Sequence, residues 1–159
     1  MSLDDWILAL HVLSAFALVA GTVLFWVLIV AVRKTDTPDG TIRMGPVAKV
    51  GNIAMGIGAV GTIVFGLWLA FSVGGYDIWD GWIIAAIVLW AMTMVTGQRT
   101  GFAYMVGMRK AGELEAAGQV APSTELLELN RTQSGLVLHA LTSLFVLLIL
   151  VDMIWKPGA

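Results

Sequence analysis

The 159-residue chain is 58% hydrophobic and only 13% charged, with a mean hydropathy of +0.88, a balance that a soluble domain of this length cannot hold in water. It has no cysteine, which excludes disulfides, thiolate metal sites and cysteine nucleophiles. The net charge of −2, without a basic cluster interleaved with aromatics, gives no reason to expect nucleic-acid binding.

Charge is absent between Asp5 and Arg33, Lys49 and Asp77, Asp80 and Arg99, and Arg131 and Asp152. Each gap accommodates about 20 apolar residues, enough for one helix across a bilayer. The runs are uninterrupted rather than alternating, so they read as helices and not barrel strands. The expected fold is therefore all-α: a four-transmembrane-helix up-down bundle forming a single membrane domain over 1–159, with spans near 6–32, 50–71, 81–98 and 135–155.

The first span opens after Asp4 and Asp5, with no basic residue before it, and its apolar run is longer than the core of a cleaved signal peptide. His11 shares a helical face with Ser14, Ala15 and Leu18, leading on to Gly21 and Thr22. The connection that follows is turn-rich, with Pro38, Gly40 and Gly45, and Pro46 is placed to open the second helix.

Within the second span, Gly56–Gly61 reads GIGAVG and fits G-x-G-x-x-G. The strand before it and the aqueous βαβ unit around it are missing, so no dinucleotide is expected. Gly51, Ala54, Gly58, Gly61 and Gly66 instead form a small-residue stripe of the kind that lets helices approach closely in lipid. The stripe suits packing within the bundle or against a second copy.

Asp77 and Asp80 mark the turn near 74–80, and the third helix is expected to run on past Arg99. It should break around Gly118–Pro122 and restart with Ser123 as N-cap and Glu125 in the first turn. The segment 99–133 then reads as an amphipathic cytoplasmic helical hairpin on the bilayer surface, or a partner-docking surface. Arg33, Lys34, Arg43 and Lys49 flank the first connection, and Arg99, Arg109, Lys110 and Arg131 the other long one. Positive charge inside puts both connections in the cytoplasm and both termini outside, with Trp6, Trp79, Trp82 and Trp155 as an outer aromatic belt.

Polar groups inside the spans are few and costly, which makes them candidates for function. At the outer level, His11 and Ser14 with Asp152, Asp77 and Asp80 could take a cation, metal or proton. At the inner level, His139 with Asn52, Met55, Met94 and Gln98 offers imidazole and thioether donors that suit Cu(I). A metal would rest on His11 or His139. The same residues also serve as helix-packing groups. A single haem held by both histidines is disfavoured, because the predicted depths of His11 and His139 differ by roughly 15 to 20 Å. No continuous polar stripe crosses a helix, which weakens a channel.

LALHVLSAFALVAG (Leu8–Gly21), FGLWLAF (Phe65–Phe71) and DGWIIAAIVLW (Asp80–Trp90) resemble an uncharacterised bacterial family of four-helix integral membrane proteins. The Leu-His followed by a glycine along the first helix is similar to copper-resistance D-type membrane proteins, whose larger helix count this chain lacks. The resemblance covers the hydropathy of most of the chain but, in residue detail, only His11, Gly21, Gly66 and Trp82. It implies a small protein of the bacterial inner membrane and favours copper handling.

Two functions follow as expectations. One is a non-enzymatic accessory or scaffold module acting through helix packing, whose partners are the bilayer, a second copy or a larger membrane complex. The other is an intramembrane site at His11 or His139 for copper, haem or protons. No nucleophile or base stands beside a partner in the sequence pattern, so enzymatic chemistry is not expected.

Overall fold

The computed structural model describes residues 2–73 and 77–157. Six helices follow in chain order: α1 (Leu3–Val32), α2 (Pro38–Ile42), α3 (Gly45–Ser72), α4 (Gly81–Ala116), α5 (Thr124–Asn130) and α6 (Gln133–Trp155). Among the described residues there is no strand, and α1, α3, α4 and α6 are long and apolar enough to cross a membrane. The chain is a multi-pass membrane protein with an all-α bundle, as its charge gaps imply. Large apolar side chains point outward, such as Phe16 at 68% and Phe71 at 72% exposure, which only lipid can cover at low cost.

Local signals set the helix ends. Ser2 Oγ accepts from the Asp5 N–H while the Ser2 N–H donates to Asp5, a capping box that opens α1. Pro46 lies in the first turn of α3, Ser123 caps α5, and Gly118, at φ 75°, turns the chain after α4. Two spans begin earlier than their apolar runs suggest: α1 takes in Asp4 and Asp5, and α3 takes in Lys49. Part of the 74–80 turn lies outside the described residues; Asp77 and Asp80 within it are joined by an N–H to carboxylate bond of 3.1 Å.

Consecutive spans pack as two tight pairs, α1 on α3 and α4 on α6, with looser contacts of α1 to α6 and α3 to α4. The glycine stripe explains the first pair. A Cβ on Gly58 would stand 2.7 Å from the Leu18 Cα, one on Gly61 would meet the Ser14 side chain, and one on Gly51 would stand 3.2 Å from Phe25 Cε2. Gly21 answers from α1, where a Cβ would lie 2.8 Å from the Met55 nitrogen. The stripe is thus used inside this chain, backbone against backbone, whereas Gly56 of the GIGAVG run faces open space. In the second pair, hydroxyls replace glycines: Thr142 donates to Thr96 Oγ1 at 2.8 Å, beside fully buried Thr93.

The two long connections close one end of the bundle. The segment after Arg99 is a straight continuation of α4, and α5 folds back onto it alongside α2. Asn130, 2% exposed, donates to the Thr35 carbonyl at 3.0 Å and to Thr41 Oγ1 at 2.9 Å. Arg33 donates to the carbonyls of Arg131 and Thr132, closing the C-terminus of α5, and Arg131 Nε donates back to the Arg33 carbonyl. Leu126, Pro38 and Ala111 are buried beneath this latch. The end of α4 and α5 form a helical hairpin, and the first connection packs with it.

Candidate functional site

The opposite end, where both termini lie, is open. A cavity of about 500 Å³ is enclosed by all four spanning helices, within the size range of small-molecule sites. It runs inward along the helices: on α1 its lining passes from Asp4 to His11, seven residues or about 10 Å deeper, and on α4 from Trp82 to Trp90. Charged lining groups, Asp4, Asp5 and Lys156, sit at the mouth, where the Lys156 ammonium lies 5.3 Å from the centre of the Trp82 ring. The inner part is aliphatic and aromatic, with Ile83, Ala86, Ile149 and Met153 among its walls.

Three polar side chains reach that inner part. Thr62 spends its hydroxyl on the Gly58 carbonyl at 2.6 Å, and Trp90 spends its indole N–H on the Ala59 carbonyl at 3.0 Å. His11 is different. The Thr62 carbonyl approaches its ring, and Nδ1, which has no accessible surface, lacks a hydrogen bond of good geometry. Gly66 holds the ring in place: a Cβ there would stand 2.9 Å from His11 Cε1 and 3.2 Å from Nδ1. A buried imidazole nitrogen left unpaired costs on the order of 1–3 kcal/mol; Nδ1 is covered, so a ligand meets the His11 ring at the part that lines the cavity.

The remaining outer-level candidates are dispersed around this cavity. Ser14 is buried against Gly61 and donates to the Leu10 carbonyl at 2.7 Å, which serves helix contact. Asp152 is buried on α6, with Oδ2 unpartnered, but it does not line the cavity and forms neither a hydrogen bond nor an ion pair with His11. Asp77 and Asp80 also lie off the lining. Depth alone puts His11 and Asp152 at one level; it does not fix the sides on which α1 and α6 present them.

At the inner level, His139 is bonded to a main-chain carbonyl. This residue, 1% exposed, uses Nε2 as a donor to the Thr22 carbonyl at 3.1 Å, so that nitrogen carries the proton. Trp26 stands edge-on at a ring separation of 4.9 Å and Phe25 at 5.9 Å. Trp26 Nε1 donates to Ser143 Oγ, which in turn donates to the His139 carbonyl. Asn52 and Gln98 are exposed, Met94 packs against the core of Leu18, Ala59 and Val146, and Met55 reaches toward Gly97 and Thr142. His139 therefore ties α6 to α1. Its partner Thr22 lies eleven residues beyond His11 on α1, about 16 Å along the helix, which separates the two imidazoles in depth.

Sequence reasoning missed Trp90, Trp82 and Ile149 as cavity walls, because an apolar wall looks like any other membrane-helix residue. The signal that was available is Gly66 opposite His11, a small residue where a ring must fit. Among the described residues, no three His, Cys, Asp or Glu side chains are grouped to hold a metal ion. Comparison with protein-family models, with curated proteins and with solved structures finds no match to this chain.

Proposed function

We propose that this chain is a membrane-embedded binding protein that takes a small, largely apolar molecule into the cavity between its four spans, with His11 as the polar anchor. The observation that carries this reading is the His11 imidazole on the wall of a cavity of about 500 Å³ whose other inner polar groups are already bonded. A scaffold role resting on the glycine stripe loses its main support, since the stripe is spent on α1. The concentration of Lys and Arg at the latched end favours a bacterial plasma membrane protein with that end in the cytoplasm and the cavity opening toward the outer side.

The test is to purify the protein in mild detergent and examine it by native mass spectrometry, optical absorption and elemental analysis. A lipophilic small molecule is expected on the wild type and on His139→Ala, and is expected to be lost from His11→Leu and from Ala86→Phe, which fills the cavity. A haem band or stoichiometric metal that disappears in His139→Ala but survives in His11→Leu would overturn the assignment.

A further inference from the structure

The chemistry of the lining narrows the ligand class, an inference that rests on the cavity being a binding site. Its charged groups lie only at the mouth, so a ligand group carried to the level of His11 meets no counter-charge. Placing a phosphate, carboxylate or ammonium there would incur a desolvation cost of several kcal/mol with nothing to offset it. A purely hydrocarbon ligand would leave the imidazole unpaired. What fits is a neutral molecule with one hydrogen-bonding group at its deep end.

Shape and access narrow it further. Trp82 and Trp90 both line the cavity, separated by about 12 Å along α4, and the His11 ring packs on Gly66 at its inner part. Indole walls favour an aromatic or conjugated ring over a flexible chain, through stacked or edge-on contacts. The α3 to α4 seam is one of the two loosely packed seams of the bundle, and residues from both helices line the cavity. A membrane-soluble molecule can therefore enter from the lipid, ring first, with its tail left in the bilayer.

We infer that the cavity binds a lipid-soluble quinone: a neutral conjugated ring whose carbonyl oxygen accepts a hydrogen bond from the His11 imidazole and whose hydrophobic tail extends into the bilayer. A carbonyl is an acceptor only, so the bound complex selects the imidazole tautomer whose N–H faces the cavity. The inference concerns binding; it requires no electron transfer from this chain.

The experiment uses the full chain in phosphatidylcholine nanodiscs, titrated with decyl-benzoquinone carrying carbon-13 at its carbonyls, and with decylbenzene as the control. Saturable binding of the quinone is expected, at least about tenfold tighter than decylbenzene, with the labelled carbonyl stretch shifted down by the hydrogen bond. His11→Leu should weaken quinone binding about tenfold and abolish the shift, while leaving decylbenzene unchanged. His11→Gln, which keeps a donor, should restore part of both. Ala86→Phe should remove both ligands by filling the space, and circular dichroism of each variant checks that the helices persist. Equal binding of quinone and decylbenzene, indifferent to His11, would overturn the quinone and leave an apolar pocket. Binding of neither by the folded wild type would overturn the quinone and the pocket together.

Discussion

The two ends of the bundle solve the same problem in opposite ways. Where the connections meet, polar groups of the loops are paired with one another: Asn130 bridges two residues of the first connection, and Arg33 and Arg131 exchange bonds with each other's backbone. Where the termini lie, the same four helices leave a cavity, and His11 Nδ1 and Asp152 Oδ2 remain buried without partners. Even the exception at the latched end, Tyr104 Oη, is buried beside the Arg33 guanidinium. Buried polar groups are normally satisfied, and a shortfall at this end is what the proposed binding function predicts. A latched end keeps the helices in register; a loose end can admit a guest.

The comparison breaks most severely if α1 is pried from α3, since both ends depend on that seam. Gly58→Leu should cost about 3 kcal/mol or prevent folding, because its side chain would enter the Leu18 and Ser14 backbone. Gly56→Leu, in open space two residues away, should be neutral or slightly stabilising. Reversible unfolding in mixed detergent micelles measures both, and equal losses would refute the assignment of the stripe to α1.

A narrower cut is Asn130→Leu, which deletes two hydrogen bonds, leaving the Thr35 carbonyl without this donor and the Thr41 hydroxyl with only its bond to the Thr37 carbonyl, for an expected loss of about 2 kcal/mol. Protease cleavage within 36–44 and 117–123 should accelerate in the same variant. Arg33→Met should cost less, about 1 kcal/mol, as its bonds to the carbonyls of Arg131 and Thr132 are partly solvated. The smallest change sharpens the contrast. His11→Leu should not destabilise the protein and should stabilise it by up to about 1 kcal/mol, since it removes a buried nitrogen without a well-formed hydrogen bond, yet it should weaken binding of a hydrogen-bonding ligand about tenfold. If His11→Leu destabilised the protein as much as Asn130→Leu, the imidazole would be a structural tie and the two ends would be alike.

The spans were legible because charge is excluded from lipid, and Ser123, Pro46 and Gly118 announced helix ends through their own backbone chemistry. His11 and the glycine stripe also stood out, as residue types that are either costly or small in a membrane helix. The latch did not. All but one of its acceptors, the Thr41 hydroxyl, are main-chain carbonyls, those of Arg33, Thr35, Arg131 and Thr132, and a carbonyl has the same sequence signature everywhere. The partner of His139 was hidden for the same reason, being the Thr22 carbonyl rather than a methionine or an amide. Which residues surround a side chain depends on how the helices rotate about their axes, and periodicity constrains depth far better than rotation.

The length of α4 has a mechanical meaning. Its 36 residues measure about 54 Å, against a hydrocarbon core of about 30 Å, so one unbroken rod carries Trp82 and Trp90 at the cavity and Ala111 under the latch. A rod pivoting at one end by about 5° sweeps its other tip through about 5 Å, more than the reach of any single hydrogen bond. If the proposed ligand wedges between the helices at the open end, such a pivot would carry the displacement to the end of α4 that bears Arg109 and Lys110.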